Sequence, residues 1–396
     1  MKKFLILISI TVFSLCAIYP EENNFAKKGN KFALSLYHQL VKNFPDINIV
    51  FSPFSTRQAI AMAYYGSNTE TQKQIQKTLG FTENKDIINA RYKKLNNQLV
   101  ETSDSVNFAI ANGLWAHKQY KFLPNYFNQI SSNFSAPIKL VNFVKSKSRN
   151  KAINEINKWV SNKTNNNIPE LLSTTDVSDL TRLIIANAVW FKADWLKAFD
   201  KEKTGKRNFN NLNGKTSVVE MMQQKSEFKL FENKNYQAID LPYQGEQFSM
   251  LIFLPRETKN FLKLEKQLLQ NTIEEVEKNM NKRKVHIQLP KFKTSADIEL
   301  KNTLAEMGMP LAFSDSADFS GMTGNTDLKI DKIIHKAKIE VTELGAEASA
   351  ATAVIMVRKS AIIREIQFNA NRPFIYLIKD NNTGSYLFMG RYLKGE

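Results

Sequence analysis

Residues Leu183 to Phe191 read Leu-Ile-Ile-Ala-Asn-Ala-Val-Trp-Phe, an apolar run broken only by Asn187. The run has the length of a strand. A strand that is apolar at every position leaves no face for water, so it belongs at the centre of a sheet covered on both sides. The chain must therefore supply two covering layers, and its first half is rich in helical patterning. Phe32, Leu36, Leu40 and Val41 recur on one face of a helix over about 26–42. Ser52-Pro53 reads as an N-cap with Pro at the first helical position, and Gly66 ends that helix. Thr69-Glu-Thr-Gln72 reads as a capping box for a helix that stops at Gly80. Amphipathic helices are expected at about 85–101 and 148–163.

Beyond residue 180 the period shortens. Strands are expected at 248–254, 285–289, 328–341, 374–378 and 386–389, with helices at about 262–280 and 295–307 between them. The second of these helices opens at Thr294-Ser295-Ala-Asp297 and closes at Gly308. Helices first and mostly strands later make an α+β class. The 396 residues contain only 14 Gly and 11 Pro, spread thinly, so no stretch reads as a linker. One large domain over 18–396 is expected.

Residues 1–17 read as a signal peptide. Lys2 and Lys3 precede the apolar run Phe4–Leu15, and small residues follow at Ser14 and Ala17. A secreted, extracellular protein is the expectation. Cys16, the only cysteine, leaves with the signal, so the mature fold is expected to do without disulfides. Asn133, Asn162 and Asn381 head sequons and are candidate glycan acceptors.

The net charge of +17 points to a polyanionic partner, for which a sulfated polysaccharide ranks before nucleic acid. Basic clusters lie at Lys145–Lys151, Lys201–Arg207 and Lys282–Lys284. No nucleic-acid or membrane partner is expected, and the chain reads as a monomer.

Enzymatic chemistry finds no foothold. His38, His117, His286 and His335 are too scattered for a local metal motif, and no Gly-x-Ser-x-Gly or phosphate-binding loop occurs. Ser226-Glu-Phe-Lys229 and Lys203-Thr-Gly205 match short β-lactamase patterns, but in the wrong order. No metal, no cofactor other than a glycosaminoglycan activator, and no catalytic residue is expected.

One segment resists a bland reading. Val341 to Ile355 is a run of small residues directly after a long strand, interrupted by Gly345. Ala346, Ala348, Ala350 and Thr352 alternate with neighbours that could face solvent, so the stretch could slide between two existing strands without steric conflict. Arg358-Lys359-Ser360 follows as a dibasic site on an exposed loop.

These residues carry a family resemblance. Asn48–Ser55, Asn187–Trp195, Asp240–Tyr243, Leu289–Phe292, Glu343–Ala353, Phe368–Phe374 and Phe388–Arg391 are similar to the blocks of the serpins, large secreted serine protease inhibitors. The resemblance implies three β-sheets, about nine helices and a reactive-centre loop over about 343–368, held outside a five-stranded sheet. It also implies a mechanism. A protease attacks the loop, forms an acyl-enzyme, and is trapped when the cleaved loop inserts into the central sheet. The implied target is a trypsin-like serine protease, because the reactive residue falls sixteen positions after Glu343, at Lys359. Lys359–Ser360 is the expected bond and Arg358–Lys359 the alternative. A non-inhibitory carrier or storage protein is the second reading.

By the same resemblance the inserting hinge comprises Glu343, Gly345, Ala346, Glu347, Ala348, Ser349, Ala350, Ala351 and Thr352. Ala346 stands where inhibitory members usually have Thr, and Ala193 where the family favours Gly. Ser52, Ser55, Asn187 and His335 correspond to a cluster gating strand separation, and Trp195 to an aromatic at the loop's entry point. Helix capping by the serines and a satisfied core histidine describe the same residues equally well. The 85–101 helix, with Arg91, Lys93 and Lys94, corresponds to the region where some serpins bind heparin.

Overall fold

A computed structural model describes residues 20–100, 106–344 and 365–395. The expected signal peptide, the hinge from Gly345 to Thr352 and the bonds around Arg358, Lys359 and Ser360 lie outside the described residues. In chain order the first half contains α1 (Pro20–Asn43), β1 (Ile49–Phe51), α2 (Pro53–Gly66), α3 (Thr69–Leu79), α4 (Lys85–Val100), β2 (Val106–His117), α5 (Pro124–Phe134), β3 (Ile138–Val141), α6 (Ser146–Lys163) and β4 (Leu183–Ala193). The second half continues with β5 (Gly205–Asn210), β6 (Thr216–Glu232), β7 (Tyr236–Pro242), β8 (Phe248–Pro255), α7 (Phe261–Gln267), α8 (Gln270–Asn279), β9 (Asn281–Pro290) and β10 (Phe292–Glu299). It ends with α9 (Lys301–Glu306), α10 (Ser320–Thr323), β11 (Lys332–Val341), β12 (Ile366–Asn369), β13 (Phe374–Asp380) and β14 (Tyr386–Tyr392).

The apolar run is the central strand, β4, of a five-stranded sheet ordered β10-β11-β4-β2-β3. Its alternate residues serve two different cores. Ile184, Ala186, Ala188 and Trp190 pack under α6 with Ile153, Ile156 and Val160, whereas Leu183, Ile185, Val189 and Phe191 face the main core. Asn187 is in phase with the second set, so the run's one polar side chain points at α2 rather than at α6. That helix starts as the sequence indicates: the Ser52 side chain accepts from the Ser55 N–H at 3.1 Å, and Pro53 takes the first helical position.

The remaining strands form one bonded sheet, β1-β14-β13-β8-β7-β6-β9-β12, with β5 on β6. The hydrogen bonds therefore join into two sheets where three were expected. The link is the 17-residue β6, which pairs with β5 and β7 along one edge and with β9 along the other, making two layers continuous. Where β1 crosses β14, Gly390 is required: a Cβ there would run into the Ile49 carbonyl and the Tyr376 hydroxyl. Next to it Arg391 is buried and grips both Glu265 oxygens at 3.0 and 3.1 Å.

Several local expectations yield to tertiary pairing. Residues 295–299 are strand, not helix, because β10 pairs with β11 from Phe292–Val341 to Glu299–Ile334, leaving only Lys301–Glu306 helical. The 262–280 helix breaks at Leu268 and Leu269, the first fully buried and the second half exposed, giving ten α-helices among the described residues. Thr69 does not cap α3. Asn68 occupies that position, while Thr69 has φ 51° and donates its hydroxyl to Asp318 at 2.9 Å.

Candidate functional site: the seam between β4 and β11

β4 and β11 pair directly and in parallel, from Ile184–Lys332 to Phe191–Ile339. This seam holds every described residue that the sequence singles out for loop control. At its middle, cross-strand register places His335 beside Asn187 and Asn187 beside Asn112 of β2, forming a polar row across three strands. Beneath it lies the N-terminus of α2. Asn187 Nδ2 donates to Ser55 Oγ at 2.5 Å and to Asn112 Oδ1. Ser55 Oγ also lies 3.5 Å from Asn112 Oδ1, and Ser52 Oγ donates to the Leu387 carbonyl at 2.6 Å.

The hydrogen bonds fix the His335 tautomer. Nε2 accepts from the Ser52 backbone N–H at 3.0 Å, so the proton sits on Nδ1, which donates to Asn187 Oδ1. Protonating Nε2 would set two donors against each other. The ring is fully buried, and that burial pushes its pKa down to about 3. The cluster is thus neutral, and Ser52, Ser55, Asn187 and His335 are brought together; Ser52 caps α2, whereas the Ser55 hydroxyl turns to Asn187 and Asn112.

At the top of the seam the contacts change character. Trp195 stacks on Tyr243 with centroids 4.4 Å apart and planes 11° from parallel. Its indole N–H donates to the Thr342 carbonyl at 2.8 Å and its backbone N–H to the Leu344 carbonyl at 2.9 Å. The Phe199 N–H donates to the Glu343 carbonyl at 3.0 Å. Glu343 is buried and pairs with Lys291 at 3.1 Å. Burial alone would raise the Glu343 carboxyl, but hydrogen bonds from its own backbone, Lys291 and Thr204, with the Lys291 charge, hold it below the usual range. The first residues beyond β11 are therefore held against the 195–199 segment. Ala193, at the end of β4, is buried beside this point.

Two participants escaped the sequence reading. Asn112 lies in β2, whose alternation was not read as a strand. Lys291 sits inside the block Leu289–Phe292, but nothing in its spacing announced a partner far along the chain. Other candidates fall elsewhere. Arg91 of α4 pairs with Glu83 at 3.8 Å and lies over the Phe25 ring, while Lys93 is exposed. Asn162 is exposed in the last turn of α6. The Asn133 and Asn381 amides instead donate to the Gln129 and Glu246 carbonyls, at 2.9 and 2.8 Å. Ser226 and Lys229 point to opposite faces of β6, so the β-lactamase-like match makes no dyad. Among the described residues there is no group of His, Cys, Asp and Glu that could hold a metal, and no helix long and apolar enough to cross a membrane.

This geometry has relatives. Leukocyte elastase inhibitor of Xenopus laevis is 38% identical over 378 residues, covering 93% of this chain and 99% of that protein. An uncharacterised serpin-like protein of Thermococcus kodakarensis is 39% identical, covering 92% of this chain and 84% of its own. Among solved structures, native protease nexin-1 with heparin superposes with a TM-score of 0.86 at 31% identity, covering 94% of this chain and all of that one. Uncleaved ovalbumin gives a TM-score of 0.86 at 27% identity with the same coverage. The profile described as serpin (serine protease inhibitor) matches residues 27–395. The chain belongs to the serpin family, a family of protease inhibitors rather than of enzymes.

Proposed function

We propose that this serpin is inhibitory and traps trypsin-like serine proteases as covalent acyl complexes, with Lys359–Ser360 as the bait bond and Arg358–Lys359 as the alternative. The observation that carries the reading is the parallel β4–β11 pair. A chain that leaves the top of β11 and turns back runs antiparallel to both strands, so it can hydrogen-bond to each and convert a five-stranded sheet into a six-stranded one. The residues that would make this return, Gly345 to Thr352, are free of Pro and small apart from Glu347, which is out of phase with Ala346, Ala348 and Ala350. Nothing in them obstructs burial between two strands.

The chemistry is the protease's own. Its serine oxygen bonds to the Lys359 carbonyl carbon, the Lys359–Ser360 peptide bond breaks, and the Ser360 amine departs with the proton delivered by the protease histidine. The freed N-terminal piece enters the seam while still esterified, carrying the protease with it and distorting its active site before water can hydrolyse the ester. A lysine before the cut bond fits a pocket with an acidic floor, whereas an elastase pocket takes small residues. The relatives named for elastase inhibition share the scaffold, and the bait is a separate choice.

The apolar run after Lys2 and Lys3 supports secretion, and Asn162, exposed with its side-chain amide in no hydrogen bond to a described residue, is the sequon best placed for a glycan. Incubation with trypsin, denaturing electrophoresis and mass spectrometry of the released peptide test the function. The expected result is an SDS-resistant complex and a peptide starting at Ser360. A start at Lys359 would move the bait to Arg358. Complete cleavage without complex across several trypsin-like proteases would leave a non-inhibitory carrier.

A further inference from the structure

The central sheet ends on a strand with an open edge. β3 pairs with β2 alone and stands last in the order β10-β11-β4-β2-β3. In this parallel ladder the Leu114 and Lys118 N–H groups donate to the Pro137 and Val141 carbonyls at 2.9 and 2.8 Å. Residues 137, 139 and 141 therefore turn their backbone toward β2, and the N–H and C=O groups of Ile138 and Leu140 point away from it. No described strand pairs with that outer side, and Leu140 is 51% exposed. An edge left in this state is a template for a further strand.

Side chains decide what kind of strand fits. Ile138 belongs to the main core and Leu140 shares its face, whereas Lys139 stands on the other. A strand laid along β3 would set alternate side chains beside Leu140 and beside Lys139. The surroundings carry one sign of charge. Residues 106–154 contain no Asp or Glu and seven Lys and Arg. Of these, Lys118, Lys121, Lys139, Lys145 and Lys147 are exposed and form no ion pair with a described residue, while Lys151 pairs with Glu155 at 3.8 Å and Arg149 donates to the Phe143 and Val144 carbonyls. Lys118 borders β3 through its bond to Val141, and Lys145 and Lys147 follow β3 at the start of α6, whose first turn holds no acid. β10, at the opposite end of the sheet, instead mixes Lys293 with Asp297 and Glu299.

We propose that the outer edge of β3 docks an extended acidic segment of a partner protein as an added strand, with apolar side chains beside Leu140 and carboxylates beside Lys139 and the lysines that open α6. The outward N–H and C=O groups of Ile138 and Leu140 give the segment its register, and the charges select its sign. A second copy of this chain would bring its own basic face and be repelled. A lipid surface would leave the backbone groups of the edge unused. β3 lies beyond β2 and β4 from β11, so docking leaves the seam free. The proposal therefore does not rest on the inhibitory reading.

The probe is a fluorescent ten-residue peptide alternating Val and Glu, titrated against the mature chain by anisotropy at 0.05 and 0.15 M NaCl. It is expected to bind at least tenfold more tightly than a peptide alternating Val and Lys. Leu140→Pro removes an outward N–H and leaves the β2 ladder intact, so it is expected to bind about fivefold more weakly than Leu140→Ala. Lys139→Glu/Lys145→Glu changes only exposed side chains, so it should keep the wild-type Tm and weaken binding at least tenfold. Two further peptides are N-methylated, one at every Val and the other at every Glu. Only one of the two sets of N–H groups faces β3, so one peptide should bind and the other should not. Binding of both as tightly as the parent would mean that charge alone holds the peptide, and would overturn strand addition. So would equal binding by Leu140→Pro and Leu140→Ala. Binding to phosphatidylserine vesicles with no peptide bound would reassign the face to a lipid surface and overturn the proposal, as would the absence of peptide binding at 0.05 M NaCl.

Discussion

The middle and the top of the β4–β11 seam are fastened by different means, side-chain bonds in the one and bonds to backbone carbonyls in the other. In the middle, Ser52, Ser55, Asn187 and His335 are fully buried, neutral and hydrogen-bonded to one another. At the top, Trp195 and Phe199 donate to the Thr342, Glu343 and Leu344 carbonyls, and the charged pair of Glu343 with Lys291, whose side chain is 39% exposed, lies on the β11–β10 side. A buried polar group deprived of its partner costs about 1–3 kcal/mol, since no water replaces the lost bond. A screened surface pair is worth about 0–1 kcal/mol. Parting β4 from β11 breaks bonds to backbone carbonyls at the top, where a chain returning from β11 would enter, and the buried Asn187–His335 bond in the middle.

The hinge gives the strongest way to break this picture. Ala350→Arg would drive a charge between two buried strands at a cost of several kcal/mol, so the covalent complex should fall more than about tenfold relative to cleaved product. Densitometry of denaturing gels reads that ratio, and undiminished trapping would mean that insertion does not pass through this seam. Asn187→Ala comes next. It strips hydrogen bonds from Ser55, Asn112 and His335 together, for a loss of about 3 kcal/mol and a Tm lower by about 5 °C. Ser52→Ala should cost less, because Asn187 keeps all its partners.

Acid separates the two ends of the seam more gently. His335 is held far below the ordinary histidine range, so the unfolded chain binds a proton that the native one refuses. Stability from this group is complete above about pH 6.5 and drains away as the pH falls toward 3, at up to about 1.4 kcal/mol per pH unit. Glu343, also lowered, contributes only above its own unfolded value and loses that contribution in the carboxylate range. Tm measured from pH 7 to 5 should thus report on the middle alone, and His335→Gln should flatten that part of the curve. The smallest effect is expected from Glu343→Gln, about 1 kcal/mol or less once screening at Lys291 is allowed for. Raising NaCl to 1 M should reproduce much of it in the wild type and change the variant little.

Legibility in the sequence followed the range of the interaction. The Ser52-Pro53 cap is decided within four residues, and the double-sided burial of Leu183–Phe191 is visible because each face needs only an apolar residue every second position. Residues 294–297 spelled a helix start and became a strand, because the β11 ladder outweighs a local cap. Asn112 was invisible for a related reason. An amide in a strand looks the same whether it meets solvent or a buried histidine two strands away.

The sequence by itself determined the class of fold, the central strand, the family and the small-residue stretch that could enter a sheet, because composition and period act locally and family blocks are contiguous. Tertiary structure alone decided which polar residues share the seam, how His335 is protonated, that Glu343 answers to Lys291, and that β3 pairs with β2 alone, leaving its other edge open. Each is a pairing between distant segments, and register and burial set it once the sheets have formed.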